Sequence, residues 1–159
     1  MRVREVMSYS PTCCTCSWTA QMAARVMQQN DIGFLPVLDN ETRRKVVGVV
    51  TDRDLCLKVV AGSRVPAQVS ISECLTAIPI TCGPDEKVER ALLLMETHLV
   101  RRLPVVDDEQ CIVGVISLAD LMHHVAANTR EIYVALSRIC EARRRDSGQF
   151  IGSSGDRKA

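Results

Sequence analysis

Three clusters of polar residues border apolar runs of the chain, and they are where its chemistry would lie. In the stretch Val46-Val47-Gly48-Val49-Val50-Thr51-Asp52-Arg53-Asp54-Leu55 a β-branched run stops at a hydroxyl and two carboxylates around an arginine. A second run, Ile112-Val113-Gly114-Val115-Ile116, stops at Ser117, with Asp120 three residues on. A hydroxyl and a carboxylate at that spacing fall one helical turn apart. They serve either as a helix cap with a favourable first-turn acid or as contacts to a ligand. Charge-assisted hydrogen bonds are about twice as strong as neutral ones, and the amides of a helix start add donors for an anion. The third cluster is Arg101-Arg102, immediately before Leu103-Pro104. Guanidinium groups suit phosphate because they donate in a bidentate fork; the plain alternative is a solvated pair at a strand start. Arg53 is a further cation candidate. Its counterpart in the second run is Ala119, and Arg101-Arg102 stand where the first half has Gly33-Phe34, so two sites built this way are chemically unequal.

The elements that position these clusters follow from an internal repeat, which fixes architecture before any single motif does. Phe34-Leu35-Pro36-Val37-Leu38-Asp39 recurs as Arg102-Leu103-Pro104-Val105-Val106-Asp107, 68 residues later. The same offset joins Pro11 to Pro79, Cys14 to Cys82, Ala23 to Ala91 and Met27 to Met95; after the hairpin loop it becomes 66, as from Gly48 to Gly114. Each repeat reads as a short lead-in strand, a helix, a hairpin of two strands and a closing helix. Asp39-Asn40 and Asp107-Asp108 supply the turns. Asp85 is expected to cap a helix whose inner face is Val88, Ala91, Leu92 and Met95, and Ser17 to cap one carrying Trp18, Met22, Val26 and Met27. Boundaries are drawn at 1–65 for repeat 1 and 66–126 for repeat 2. A C-terminal amphipathic helix is expected over 127–145, started by Asn128 and Glu131 in capping-box spacing and carrying Ile132, Ala135, Leu136 and Ile139 on one stripe. Residues 146–159 are expected to form a mobile tail.

Composition narrows the function classes. The chain has 159 residues, 47% hydrophobic and 25% charged, which is a globular mixture, and only 3% aromatic. A formal net charge of +1 announces no nucleic-acid or membrane partner. Arg143-Arg144-Arg145 read as a solvated helix end without aromatic stacking partners nearby. No run of 18 apolar residues occurs and the charged start is not followed by a signal-peptide core, so the cytoplasm is the expectation. The eight cysteines fall mostly inside apolar runs and read as reduced small hydrophobes.

The paired motifs resemble a tandem pair of CBS domains, a Bateman module. The likeness rests on Val3-Arg4-Glu5-Val6-Met7, Gly33-Phe34-Leu35-Pro36-Val37 and Gly-Val-Val-Thr-x-x-Asp, and in repeat 2 on Leu103-Pro104-Val105-Val106-Asp107 and Gly-Val-Ile-Ser-x-x-Asp. It covers roughly residues 2 to 126. It implies an α+β fold of two repeats related by a pseudo-twofold, and clefts that in many members bind AMP, ADP, ATP or S-adenosylmethionine. It assigns Thr51, Asp54, Ser117 and Asp120 to ribose and nearby phosphate, and Arg53, Arg101 and Arg102 to phosphate. The base would sit against Pro11, Thr12 and Cys13 or Ile78, Pro79 and Ile80, with Pro36, Leu103 and Pro104 adjoining. It further implies a homodimer that regulates a protein partner yet to be identified, rather than catalysis.

Two other readings stand beside it. One is a scaffold that dimerises without a ligand. The other is a thiol or metal sensor using Cys13, Cys14 and Cys16, for which no second C-x-x-C pair or histidine pair is placed to complete four ligands. His123-His124 are adjacent and so face different sides of a helix, and His98 precedes Arg101 without a motif of its own. An enzyme is not expected: there is no nucleophile with its base, and no Walker or Rossmann loop.

Overall fold

The computed structural model describes residues 1–124 and 129–148. Each repeat is organised around an antiparallel hairpin. Strand β3 (Phe34–Leu38) pairs with β4 (Val46–Thr51), Pro36 opposite Val49, and β6 (Arg102–Val106) pairs with β7 (Ile112–Ser117), Pro104 opposite Val115. The acids at the turns act as expected. Asp39 Oδ1 accepts the N–H groups of Asn40 at 2.7 Å and Lys45 at 2.9 Å, and Asp107 Oδ1 those of Glu109 at 3.0 Å and Cys111 at 2.8 Å. The two hairpin loops also meet: Arg44 O accepts from Ile112 N at 3.0 Å and Gln110 O from Val46 N at 3.1 Å.

The lead-in segments cross over. Strand β1 (Ser8–Tyr9) leaves its own repeat and pairs antiparallel with β7, while β5 (Thr76–Ala77) pairs with β4 of the first repeat. Strand β2 (Cys14–Thr15) pairs parallel with β3. The sheets are therefore ordered β1-β7-β6 and β2-β3-β4-β5. Packing follows the crossover: Val3, Val6 and Met7 are buried with Leu103 and Ile116, and Val69, Ile71 and Cys74 with Leu35 and Val50. A cut in sequence between 65 and 66 thus does not coincide with the packed units. Gly48 and Gly114 leave room for the crossed segments. A Cβ on Gly114 would lie 2.6 Å from Met7 Sδ and 2.9 Å from Ser8 O; one on Gly48, 2.9 Å from Leu75 Cδ1 and 3.0 Å from Thr76 O.

Helix α1 (Ala20–Gln29) starts from Thr19, whose hydroxyl accepts Met22 N–H at 3.2 Å. Ser17 does not cap it, because its hydroxyl lies 3.0 Å from that of Thr15. The buried face is Ala20, Ala23 and Met27, with Met22 exposed. In repeat 2, α3 (Val88–His98) buries Val88, Ala91, Leu92 and Met95 as the spacing predicts. It starts after Lys87 without a side-chain cap, Asp85 being engaged with Arg4 instead. The closing helices are α2 (Asp52–Leu55), which passes into a π-helical turn at Cys56–Val60, and α4 (Leu118–His124). Helix α5 (Thr129–Gly148) lays Ile132, Ala135 and Ile139 into the core of the second repeat, and Arg138 pairs with Glu96 of α3. Its stripe is thus packed on its own chain. The helix backbone continues past residue 145 to Gly148. Asn128, the side chains of Glu131 and Arg143 to Arg145, and residues 149–159 lie outside the described residues. No helix among the described residues is long and apolar enough to cross a membrane.

Candidate functional site

Both hydroxyl–acid turns close into reciprocal caps. Thr51 donates to Asp54 Oδ2 from its backbone N–H at 3.0 Å and its hydroxyl at 2.7 Å, while Thr51 Oγ1 accepts Asp54 N–H at 3.1 Å. Ser117 and Asp120 repeat the arrangement at 2.8, 2.6 and 3.2 Å. The helix-cap role is therefore realised at both turns, each carboxylate satisfying orphan groups of its own helix start.

The first turn carries one more partner. The π-helical turn, closed by Ala61 N–H on Cys56 O at 2.9 Å, presents Lys58 Nζ 3.1 Å from Asp54 Oδ1, 2.6 Å from Cys74 O and 3.4 Å from Leu75 O. One ammonium thus ties the Asp54 turn to the crossed segment from the other repeat. At the equivalent place in α4, His124 Nδ1 lies 2.9 Å from Asp120 backbone O instead. A carboxylate has about four acceptor sites. Three at Asp54 are used, which leaves room for one further donor.

A cleft of about 450 Å3 opens between the repeats beside this turn. It gathers Thr51, Arg53 and Asp54 from the first repeat with Ile78, Pro79, Ile80, Arg101, Arg102 and Pro104 from the second. Among the described residues, Arg53, Arg101 and Arg102 make no ion pair within 4.0 Å, so three exposed guanidinium groups face the cleft with their charge uncompensated by direct contact. The crossing of β5 onto β4, with Thr76 opposite Val49 and Ala77 opposite Gly48, brings the segment that continues into residues 78–80 onto the first repeat, so residues far apart in sequence line one cleft.

Other expected residues lie elsewhere. Ser117 and Asp120 close the opposite turn. Pro11 and Cys13 line a separate hollow of about 380 Å3 with Trp18, Glu41 and Arg44, and Thr12 lines neither. Pro36 and Leu103 are buried in the sheets and do not line the cleft. The cleft also contains Thr76 and Val100, which sequence reasoning passed over, together with Asp52 of the first polar cluster, to which no ligand role was given, and His98. Asp52 folds over Gly33, where a Cβ would stand 2.6 Å from its Oδ2. Gly33 O accepts Asp52 N–H at 3.2 Å as Arg101 O accepts Leu118 N–H at 3.0 Å. The equivalence of Gly33 and Arg101 is therefore real in space. The acid stands opposite the glycine in one repeat, and an apolar residue opposite the arginine in the other.

Two thiols of the Cys13-Cys14-x-Cys16 stretch are shifted toward the neutral form. Burial pushes the Cys14 thiol up to about 12, with the neighbouring Cys13 and Cys16 adding to it, and burial likewise raises Cys13 despite the nearby Arg44. Among the described residues no three His, Cys, Asp or Glu side chains come together to hold a metal ion.

A CBS-domain family profile matches residues 3–61 and 71–127. The chain belongs to the CBS domain family. This CBS pair is 33% identical over 149 residues to the uncharacterized protein YlbB of Bacillus subtilis, covering 94% of this chain and 98% of that protein. It is similar to a crystal structure of Hypoxic Response Protein I with two coordinated zinc ions, at TM-score 0.70 and 31% identity over 78% of this chain and 98% of that one. It is also similar to the CBS domain pair of protein MJ0100 in complex with 5-methylthioadenosine and S-adenosyl-L-methionine, at TM-score 0.69 and 25% identity over 81% and 98%.

Proposed function

We propose that this CBS pair is a non-catalytic regulatory module that takes an adenosine-containing ligand, AMP, ADP, ATP or S-adenosylmethionine, in the cleft beside Thr51 and passes its occupancy to a partner. The observation that carries this reading is the convergence of the Thr51–Asp54 turn, the Arg101-Arg102 pair and the wall of residues 78–80 on one cleft of about 450 Å3, a volume within the range of small-molecule sites. Asp54 offers its remaining acceptor site to a ribose hydroxyl, the arginines take phosphate oxygens in bidentate fashion, and the apolar wall covers the base. The adenosyl ligands of the MJ0100 pair support the same class.

Lys58 supplies a route outward. A ribose hydroxyl on the remaining acceptor site shares the Asp54 charge with Lys58 and loosens its hold, and Lys58 also holds the Cys74 and Leu75 carbonyls. Occupancy then shifts the population between tied and untied positions of the crossed segment, which a second copy of the chain or another protein would sense.

A thermal-shift panel of AMP, ADP, ATP and S-adenosylmethionine tests the reading. A ligand at a hundredfold its Kd adds about 2.7 kcal/mol, which at this length is about 5–10 °C in Tm. Replacing both Arg101 and Arg102 with Ala should remove the response to phosphate-bearing ligands. The satisfaction of both caps by partners within the chain favours a second reading, a dimerising scaffold, and a flat panel selects it.

A further inference from the structure

The hollow of about 380 Å3 beside Trp18 carries two opposite charges on its lining, Arg44 and Glu41. Among the described residues neither makes an ion pair within 4.0 Å, with the other or with a third group. The loop that bears them is fixed. Asn40 Oδ1 accepts the N–H groups of Thr42 at 3.0 Å and Arg43 at 2.7 Å, Asn40 O accepts that of Arg44 at 3.1 Å, and Arg44 O accepts that of Ile112 at 3.0 Å from the other hairpin. The Arg44 guanidinium comes close enough to Cys13, on the same lining, to oppose the rise that burial gives the thiol, which places its charge at the hollow. A cation and an anion held on one rim beyond each other's reach leave a gap for a molecule that carries both signs. Pro11, Trp18 and Leu38 supply apolar walls, and Trp18 also packs against the first core.

The second repeat shows that the fold does not require these side chains. Gln110, 66 residues after Arg44, has the same left-handed backbone, φ 67° against 59°, and the same carbonyl bond to the opposite hairpin, yet it bears no charge. Glu86, 68 residues after Trp18, turns to accept Gly83 N–H at 2.9 Å. The cation and the aromatic wall therefore belong to repeat 1 alone. Neither Ser117 nor Asp120 lines the hollow, so it lacks the hydroxyl–acid turn on which the adenosyl reading rests. We infer that this hollow is a second ligand site, for an apolar α-amino acid whose carboxylate takes the Arg44 fork, whose ammonium takes Glu41 and whose side chain lies against Pro11, Trp18 and Leu38. The volume falls within the range of small-molecule sites, and a guanidinium meets a carboxylate with two parallel hydrogen bonds. Because Arg44 O also holds Ile112 N, a ligand on Arg44 acts at the joint between the two hairpins.

Trp18 is the chain's single tryptophan, so its emission reports on the hollow directly. L-Leucine and L-phenylalanine are titrated into the full chain, each beside the acid that lacks its amine, isocaproate or hydrocinnamate, and the amine that lacks its carboxylate, isopentylamine or phenethylamine. At least one amino acid should change Trp18 emission saturably, and its two half-molecules should bind about tenfold more weakly or worse. Arg44→Gln, which installs the residue that the second repeat holds in the same backbone conformation, and Glu41→Gln should each weaken that amino acid about tenfold, the loss of one charge-assisted contact. No saturable change with either amino acid, a half-molecule that binds as tightly as its parent, or wild-type affinity in either variant would overturn the inference. The hollow and the cleft share no lining residue, so failure of the chain to bind AMP, ADP, ATP or S-adenosylmethionine would overturn the adenosyl reading and leave this one standing.

Discussion

Replacing Asp54 and Asp120 by alanine separates the structural from the ligand role of these acids, because the two carboxylates have different partners. Asp120→Ala removes two hydrogen bonds from Ser117, at 2.8 and 2.6 Å. Asp54→Ala removes the matching pair from Thr51 and also unpairs Lys58, which sits 3.1 Å from Asp54 Oδ1. Loss of a cap costs about 0.5–2 kcal/mol. The Lys58 pair is partly exposed, at 39% for the lysine and 18% for the acid, so after solvent screening it adds about 0.5–1 kcal/mol. Asp120→Ala should therefore destabilise by about 1–2 kcal/mol, and Asp54→Ala by about 1.5–3 kcal/mol. Urea denaturation with constant m-value reads both. A cycle with Lys58→Met isolates the ion pair: Asp54→Ala should cost less in the Lys58→Met background than in wild type. Equal costs for Asp54→Ala and Asp120→Ala, with no coupling to Lys58, would refute the assignment of Lys58 as a partner of the Asp54 turn. The same numbers identify Asp54→Asn as the cleaner ligand probe, since it keeps an acceptor for Thr51 and loses the charge.

Gly114→Ala would place a methyl 2.9 Å from the Ser8 carbonyl and wedge β1 away from β7; thermal melting should show a loss of about 1–3 kcal/mol. Adding a thiol reagent to the native protein at pH 8 should label exposed Cys56 and Cys140 while sparing buried Cys14, Cys74 and Cys82. Cys14 and Cys82 are each raised by burial to about 12, so between pH 9 and 12 the unfolded chain loses those protons first. Stability present below pH 9 is therefore lost on going alkaline, by up to about 1.4 kcal/mol per pH unit for each thiol; denaturation at pH 8 and pH 10 measures it. Removing one guanidinium with Arg101→Ala should weaken AMP binding about 10–150-fold and lower its salt dependence, both read by calorimetry at two ionic strengths.

How much of this the sequence reveals depends on how local each cause is. The hairpins, their acidic turns and the α3 core face were legible because Asp39, Asp107 and the Val88-Ala91-Leu92-Met95 spacing act within a few residues. The crossover was not. Strands β1 and β5 are two residues long, too short for any alternation to register, and their partners are chosen by the gap over Gly114 and Gly48. The caps at Ser17 and Asp85 were misplaced because each side chain has a closer competitor, Thr15 for one and Arg4 for the other. In the cleft, Thr51, Arg53, Asp54, Arg101 and Arg102 were readable from motif and repeat. Asp52 was visible as a second carboxylate but not its place over Gly33, since its counterpart in the other repeat is Leu118. Lys58 was hidden by the π-helical turn, which no side-chain pattern announced.

The most direct test of the central claim is an amide chemical-shift titration of the isotopically labelled chain with AMP and, separately, S-adenosylmethionine. Binding in the cleft predicts saturable shifts confined to residues 33–34, 51–54, 76–80 and 98–102, the segments that line it. No saturable shifts with either ligand, or shifts that cluster instead around Pro11, Cys13 and Trp18, would contradict it.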